Sequence, residues 1–283
     1  MKSRTLRLFA LSFLPLLLVV SAFANSANMV NLGTASSYAV LAGSAVNNTG
    51  ATTLNGSLGV SPGCAISGAG TITVSGATNA CNAAALQAQS DLTAGYLEAK
   101  NLKSTGNLTG TDLGGLTLTT GVYSFTSSAD LATGKTLTLE GKPGALFVFQ
   151  IGSALTTGSG SSIIFINSLT GKPMTDPNIF WQVGSSATLG TSTAFEGNIL
   201  ALSSITLNTS ASITCGSALA QTGAVTLQGN TISSCGSGGT STVPEPDTLG
   251  LLGTGLTVLA GVGRRRLHRA LIMVNTPYGS PKA

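Results

Sequence analysis

Short triplets of an apolar residue, threonine and a second apolar residue recur along this chain. The last three are Ala187-Thr188-Leu189, Ile205-Thr206-Leu207 and Val225-Thr226-Leu227. Leu207 follows Leu189 by 18 residues and precedes Leu227 by 20. Side chains in a strand alternate between its two faces, so each triplet predicts two inward apolar residues and one outward threonine. A repeat of this length predicts one turn of a β-solenoid.

The same triplet occurs earlier in the chain, which extends the predicted stack of coils. These copies are Ile72-Thr73-Val74, Leu116-Thr117-Leu118 and Leu137-Thr138-Leu139. A second motif repeats as well, since residues 197–201 and 216–220 match in order at a spacing of 19. The pattern therefore predicts an all-β fold with six outward threonines and layers of inward Leu, Ile and Val.

Residues 82–102 break the strand pattern. Small and apolar residues recur there at spacings of three and four, at Ala85, Ala88, Leu92, Tyr96 and Ala99. This period is typical of an amphipathic helix, and Asn79 or Asn82 is the expected N-cap. The narrow stripe predicts that the helix lies flat against the solenoid and covers one of its faces.

Two nearly continuous apolar runs, 145–151 and 163–166, predict strands that are covered on both sides, most simply by the coil interior and the helix. Residues 167–178 contain two prolines and predict a loop. Trp181 lies in the apolar run that follows, which favours packing in the core over sugar stacking at the surface.

Both ends of the chain carry targeting patterns. Residues 1–24 have a basic start, an apolar stretch and an Ala-Phe-Ala cleavage site, which predict a signal peptide, with an uncleaved membrane anchor as the alternative. The other end contains a Gly/Ser/Thr linker (236–243), Pro244-Glu245-Pro246, an apolar segment (249–262), Arg264-Arg265-Arg266 and a tail (267–283). Residues 244–266 resemble the PEP-CTERM sorting signal, which implies export, transient membrane anchoring and processing by an exosortase. The predicted solenoid domain occupies 25–235.

The four cysteines form two local pairs, Cys64 with Cys81 and Cys215 with Cys235, separated by 17 and 20 residues. Both separations are about one coil, so each pair would lie on adjacent turns. Three connectivities are possible, and free buried thiols are the alternative. In an exported protein the two local disulfides are favoured, each worth about 3 kcal/mol in the loop-entropy model.

Charge is sparse once the targeting ends are set aside. Residues 25–243 carry five lysines and seven acidic residues, a net charge of −2. The basic isoelectric point of the whole chain, about 9.0, therefore comes from its ends. Because phosphate recognition needs a basic face, the sequence argues against nucleic-acid binding.

The residues of common catalytic and metal sites are missing from the same region. The single histidine, His268, lies beyond the arginine cluster, which excludes a Ser-His-Asp, Cys-His or His-containing metal site in 25–243. Isolated acids such as Asp176 and Glu196 form no carboxylate pair that the sequence can place. The chain is therefore predicted not to be an enzyme and to have no catalytic residue, metal or cofactor.

Several ordered motifs between residues 32 and 232 resemble the microbial ice-binding-protein-like family. They are LGTASSYAVLAG (32–43), LGVSPG (58–63), FWQVG (180–184), GNILA (197–201) and ALAQTGAVTL (218–227). The resemblance implies a right-handed, discontinuous β-solenoid of triangular section with one long helix beside it. It also implies a non-enzymatic function, adsorption to ice through a flat face of Thr, Ala and Ser.

Two outward rows are candidates for that face. One is the ladder Thr188, Thr206 and Thr226; the other is the neighbouring row Ala194, Glu196, Ser212 and Thr214. The second row begins with Thr193-Ala194-Phe195, which matches three positions of the family's T-A-x-T pattern, while Glu196 replaces the fourth. Parallel coils would repeat such side chains about every 4.8 Å, a regular spacing suited to a lattice.

The expected partners are an ice crystal surface, an exosortase and, through 249–262, the membrane, and the protein is expected to be a monomer. The alternative function is that of an extracellular matrix or adhesion protein with the same fold and no ice activity. PEP-CTERM signals are often found on matrix proteins, and an outward threonine is also a good solvent-facing strand residue.

Overall fold

The computed structural model describes residues 30–175 and 178–235, which form a stack of short, mostly parallel strands beside one helix. Each complete coil of the chain adds one strand to each of three sheets, which we call sheets A, B and C. The three sheets enclose one apolar core, which gives the stack its triangular section. The predicted signal peptide, linker, sorting signal and tail lie outside the described residues.

The strands are numbered in chain order, and within each sheet hydrogen bonds join every strand to the next. Sheet A consists of β7 (Thr78–Ala80), β4 (Ser57–Val60), β1 (Tyr38–Ala42), β23 (Ala218–Ala220), β20 (Asn198–Ala201), β17 (Ile179–Val183), β13 (Phe147–Ile151), β10 (Gly121–Phe125) and β8 (Gly106–Asn107). Sheet B consists of β11 (Ala129–Leu131), β14 (Leu155–Thr157), β18 (Ala187–Leu189), β21 (Ile205–Leu207), β24 (Val225–Gln228), β2 (Ala45–Thr49) and β5 (Ala65–Ser67). Sheet C consists of β6 (Ile72–Val74), β3 (Thr52–Asn55), β25 (Thr231–Ser233), β22 (Ser212–Thr214), β19 (Ala194–Glu196), β15 (Ser162–Asn167), β12 (Thr136–Gly141) and β9 (Thr117–Thr119), with β16 (Pro173–Met174) antiparallel to β15.

Helix α1 spans Ala83–Asn101, and two short 3-10 helices span Gly33–Ser37 and Ala69–Thr71. Within 30–175 and 178–235, no helix is both long and apolar enough to cross a membrane.

The stack is discontinuous in sequence. The first coil, β1 to β3, pairs in parallel with the last coil, β23 to β25, in all three sheets. The second coil, β4 to β6, packs on the outside of the first. Helix α1 then carries the chain to the opposite end, where β8 begins the coils that return to β23. The predicted β-solenoid with one helix is confirmed.

The interior is filled by the inward members of the alternating strands. In β18, β21 and β24 the two apolar residues are buried and the threonine between them is half-buried. Trp181 is fully buried, and its ring centroid lies 3.8 Å from that of Phe149 in a parallel stack. Its indole N–H donates to the Glu196 carbonyl oxygen at 3.0 Å. The predicted alternation and the core position of Trp181 are confirmed.

Helix α1 covers the outer side of sheet A. Asn82 is the N-cap, since its side chain accepts a hydrogen bond from the Ala85 amide at 3.0 Å. All five residues of the predicted stripe are buried. Most of them share an apolar cluster with residues of sheet A, which include Tyr38, Leu41, Val122, Val148, Phe180, Leu200 and Leu219. The helix therefore closes one face of the solenoid, as predicted.

One of the two continuous apolar runs was placed wrongly. Residues 147–151 do lie between the core and the helix, in β13 of sheet A. Residues 163–166 belong instead to β15 in sheet C, on a different side of the stack from the helix. There Ile164 and Ile166 are half-buried, and the neighbouring segment is β16, which folds back along β15.

Both predicted disulfides are present. Cys64 pairs with Cys81 and Cys215 pairs with Cys235, with Cα–Cα distances of 4.9 and 4.3 Å. Each bond joins adjacent coils, because β4 pairs with β7 and β22 pairs with β25.

A buried asparagine ties the last coil to its neighbours. The Asn230 side chain is 1% exposed and donates to the carbonyl oxygens of Asn208 and Ala211, both at 2.9 Å. Its Oδ1 accepts from the Gln228 amide, and its own amide donates to the Thr52 hydroxyl in the first coil at 3.2 Å. Asn230 thus links the turn between sheets B and C both to the preceding coil and to the first coil, which is distant in sequence.

We expect Asn230→Ala to destabilise the fold by about 3 kcal/mol, since three buried or partly buried backbone groups each lose a partner worth roughly 1 kcal/mol. For a domain of this size the fall in Tm would be roughly 6–12 °C. Thermal unfolding followed by circular dichroism measures it. Asn208→Ala is the matched control, because within the described residues only the backbone of Asn208 is hydrogen-bonded. Equal Tm values for the two variants would contradict the role of the Asn230 side chain.

Candidate functional site

Sheets B and C are the two sides of the solenoid that the helix leaves open. Sheet A is covered by α1, so the outward rows predicted from the sequence must be compared on the other two sheets. The six threonine triplets divide between them. Thr188, Thr206 and Thr226 lie on sheet B, whereas Thr73, Thr117 and Thr138 lie on sheet C.

The first candidate ladder forms one continuous row on sheet B. Its members are in direct register from strand to strand, in the order Asp130, Thr156, Thr188, Thr206, Thr226, Asn47 and Ser67. The structure therefore brings the three predicted threonines together and adds Thr156 to them. Within the described residues, the hydroxyl groups of these four threonines form no hydrogen bond with the protein, so they are free to bind water.

A second row runs beside the threonines, two residues earlier in each coil, at the start of the strand or just before it. It consists of Ser128, Ala154, Ser186, Ser204, Ala224, Ala45 and Ala65. Its backbone is held in register by ladder hydrogen bonds, for example from the Ala187 amide to the Ser204 carbonyl oxygen at 3.0 Å. This row was not predicted from the sequence. The available signal was the serine or alanine that stands two positions before every threonine of the ladder.

Together the two rows make a flat, uncharged patch across β14, β18, β21 and β24. Every outward side chain in these two rows is alanine, serine or threonine, so none rises far above the others. The patch measures about 14 Å across the four strands and about 7 Å along them, from the usual strand spacing and rise. On one side the patch ends at the charged residue Asp130 on β11. On the other side it ends at Asn47 on β2, whose side chain is more polar than threonine.

The second candidate row lies on sheet C, and its surroundings are not flat. β19 pairs with β15 only at Ala194 and Ser162, because β16 folds back beside the rest of β15. Between this segment and β19 is a cleft of about 260 Å³ lined by Ile163, Ile164, Phe165, Pro173, Met174, Thr175, Ala194, Phe195, Glu196 and Thr214. Leu169, in the turn before β16, is 72% exposed. The folded-back segment therefore lies beside the β15 end of this row, whereas the row continues away from it through Ser212 and Thr231.

The carboxylate of Glu196 does not lie on an open face. Alternation placed it outward beside Ser212 and Thr214, but the residue is only 5% exposed and forms part of the cleft wall. The prediction that Glu196 stands in an open outward row was therefore wrong. The cause is the neighbouring segment around β16, which the local strand pattern does not reveal.

The comparison with known proteins decides the family. A family model described as ice-binding-like matches residues 40–233. The chain belongs to this ice-binding-like family. A second model, the PEP-CTERM protein-sorting motif, matches residues 242–266, and the protein is exported to the cell surface or the extracellular space.

Relatives and solved structures agree with this assignment. The chain is 48% identical over 250 residues to an ice-binding protein from Nostoc sp. (strain HG1), which covers 87% of this chain and 91% of that protein. A crystal structure of an ice-binding protein from an Antarctic biological consortium has a TM-score of 0.67 at 42% identity, covering 72% of this chain and 90% of the other. An ice-binding protein from an Arctic yeast, whose structure was used to explain its antifreeze activity, has a TM-score of 0.62 at 30% identity, covering 73% and 94%.

Thr193 of this ice-binding-like domain was a candidate contact residue, and that assignment was wrong. Its side chain is fully buried at the corner before β19. The hydroxyl lies 3.0 Å from the Thr157 hydroxyl and donates to the Gly158 carbonyl oxygen at 3.2 Å. Thr193 therefore stabilises a turn and does not face the solvent.

The groups with shifted pKa values lie on the helix side of the ice-binding-like domain. Burial raises the pKa of Tyr96, although Gln182 donates a hydrogen bond to its hydroxyl. Partial burial tends to raise the pKa of Asp91, but hydrogen bonds from Thr34 and Gln87 outweigh it and lower the pKa. Within the described residues, no group of three or more His, Cys, Asp or Glu side chains could hold a metal ion.

Proposed function

We propose that this exported protein adsorbs to ice through the two-row patch of sheet B. The observation that carries the proposal is the four-strand array of Thr with Ala and Ser, which is flat, uncharged and regularly spaced. The names of its relatives support ice as the ligand, because a protein 48% identical to this chain is called an ice-binding protein. The covered side of sheet A and the uneven surface of sheet C support the choice of sheet B.

The chemistry of the patch suits a solid, planar ligand. Removing threonine methyl groups and alanine side chains from liquid water costs little free energy. A hydroxyl group can exchange a hydrogen bond to liquid water for one to a water molecule of the ice. A carboxylate or ammonium group would hold its own hydration shell strongly and would oppose contact with a crystal surface. The ladder of backbone hydrogen bonds fixes the rows, so little conformational entropy is lost on contact.

We also propose that the protein acts as a monomer and not as an enzyme, with an exosortase processing its C-terminal signal and the membrane holding it through 249–262. Neither adsorption to a crystal surface nor this attachment requires a catalytic group. The membership of an ice-binding-like family and the sorting motif support these points.

Thermal hysteresis and the shape of growing ice crystals test the function. The purified exported protein should lower the freezing point below the melting point and produce faceted crystals. Round crystals and no hysteresis at high protein concentration would contradict ice adsorption. That result would favour the alternative, a matrix or adhesion protein with the same fold.

Asp130 should limit the size of the patch. We expect Asp130→Thr to increase thermal hysteresis, because it extends the uncharged row from four strands to five and the contact by about a quarter. Glu140→Thr is the matched control, since it removes the same charge from β12 on sheet C. An equal gain in both variants would trace the effect to net charge, and no gain in Asp130→Thr would contradict the proposed boundary.

A further inference from the structure

The chain leaves the solenoid at the edge opposite sheet B. Each coil passes from sheet A to B to C and returns to A at the edge between C and A, as β22 does through residues 215–217 on its way to β23. In a triangular section, the edge between two sides lies opposite the third. The edge between sheets C and A is therefore the part of the coil farthest from the patch on sheet B.

The last described residues are fixed at this edge. After β25, the Ser234 amide and hydroxyl both donate to the Asn55 carbonyl oxygen, at 3.0 and 2.9 Å. Asn55 is the last residue of β3, just before the chain crosses from sheet C to sheet A. The disulfide from Cys235 to Cys215 fastens the same point to the coil above.

The other end of the described domain also lies away from sheet B. The Asn31 amide donates to a carboxylate oxygen of Glu98 on helix α1 at 2.8 Å. Because α1 covers sheet A, the chain enters on the helix side. Neither end of the described chain reaches the patch.

The sorting motif begins a short distance along the chain after Cys235, the last residue fixed at this edge. It begins at residue 242, seven residues beyond Cys235, and seven extended residues reach about 25 Å at most. We infer that the C-terminal segment holds the protein at the cell surface and that sheet B then faces away from the cell. In this orientation a tethered molecule binds ice. This inference rests on the proposed function and adds to it the orientation of the molecule at the cell surface.

The test holds the full chain by its C-terminus. A biotin is placed after Ala283 and the protein is bound to streptavidin-coated beads, which are then brought against a growing ice front. Beads carrying the wild-type chain should adsorb to the ice as completely as the free protein does. Beads carrying Thr206→Tyr on sheet B should be pushed ahead of the front, and beads carrying Thr138→Tyr on sheet C should adsorb like wild type.

The possible results distinguish the outward display of sheet B from ice adsorption itself. If the free wild-type chain shapes ice but C-terminally held beads do not adsorb, the outward display is wrong and the function stands. If Thr138→Tyr beads fail while Thr206→Tyr beads adsorb, sheet C contacts the ice, and both the patch on sheet B and its outward display are overturned. If the free chain has no effect on ice, the proposed function itself fails.

Discussion

Replacing Thr206 with tyrosine should abolish thermal hysteresis. Thr206 lies at the centre of the patch, between Thr188 and Thr226 in its own row and beside Ser204 in the other. A phenol ring there would stand well above the methyl and hydroxyl groups of both rows. A rigid crystal plane could then touch only the ring, so the contacts of the surrounding strands would be lost together.

The matched control separates a lost contact from a damaged fold. Thr138→Tyr makes the same change at the centre of an apolar-Thr-apolar triplet on sheet C, and it should keep the hysteresis of the wild type. Tyrosine is favourable in strands, so both variants should retain the wild-type circular dichroism spectrum and Tm within a few degrees. Loss of hysteresis in Thr138→Tyr with activity retained in Thr206→Tyr would place the ice-contacting face on sheet C.

Leu207→Asp should leave no cooperatively folded protein. Leu207 is fully buried in the coil interior, next to Leu189 of the adjoining coil. The change forfeits about 1.5–3 kcal/mol of apolar burial and, in addition, leaves a carboxylate unpaired or forces its protonation. A loss of several kcal/mol is comparable with the whole stability of an ordinary domain, which is about 5–15 kcal/mol.

The adjacent residue provides the control for Leu207→Asp. Thr206→Asp introduces the same carboxylate one position earlier, on the outward face, and should still fold. Circular dichroism melting curves and the yield of exported protein distinguish the two. An unchanged Tm in Leu207→Asp would refute the inward assignment of the triplets, on which the solenoid interpretation depends.

Local pattern was enough to predict the features that depend on local geometry. Alternation within a triplet fixes which way Thr206 points, and the three-and-four spacing around Leu92 fixes the buried side of helix α1. The cysteine pairs were predictable for a related reason. Their spacing equals about one coil, and adjacent coils stack directly.

The sheet on which each triplet lies could not be predicted from the local sequence. Thr138 and Thr188 each stand between two apolar residues, yet one lies on sheet C and the other on sheet B, because a coil turns corners between sheets. The continuation of the ladder into Asn47 depends on pairing between β2 and β24 across the sequence discontinuity. No spacing along the chain reveals that the first coil packs against the last.

The errors arose where an additional segment or a corner overrides alternation. Glu196 points outward by the period of its strand, but the folded-back segment containing β16 makes it part of a cleft wall. Thr193 fits a motif associated with ice contact, but it occupies a corner where its hydroxyl bonds to Thr157 and Gly158. Neither side chain is therefore available on an open face of the solenoid.

Partition between ice and liquid in one mixed sample tests the use of sheet B most directly. Wild type, Thr206→Tyr and Thr138→Tyr, each exported and labelled with a different fluorophore, are frozen slowly together, and the three signals are measured in the ice and in the remaining liquid. We expect wild type and Thr138→Tyr to be enriched in the ice while Thr206→Tyr stays in the liquid. Equal partition of all three variants would contradict the use of sheet B.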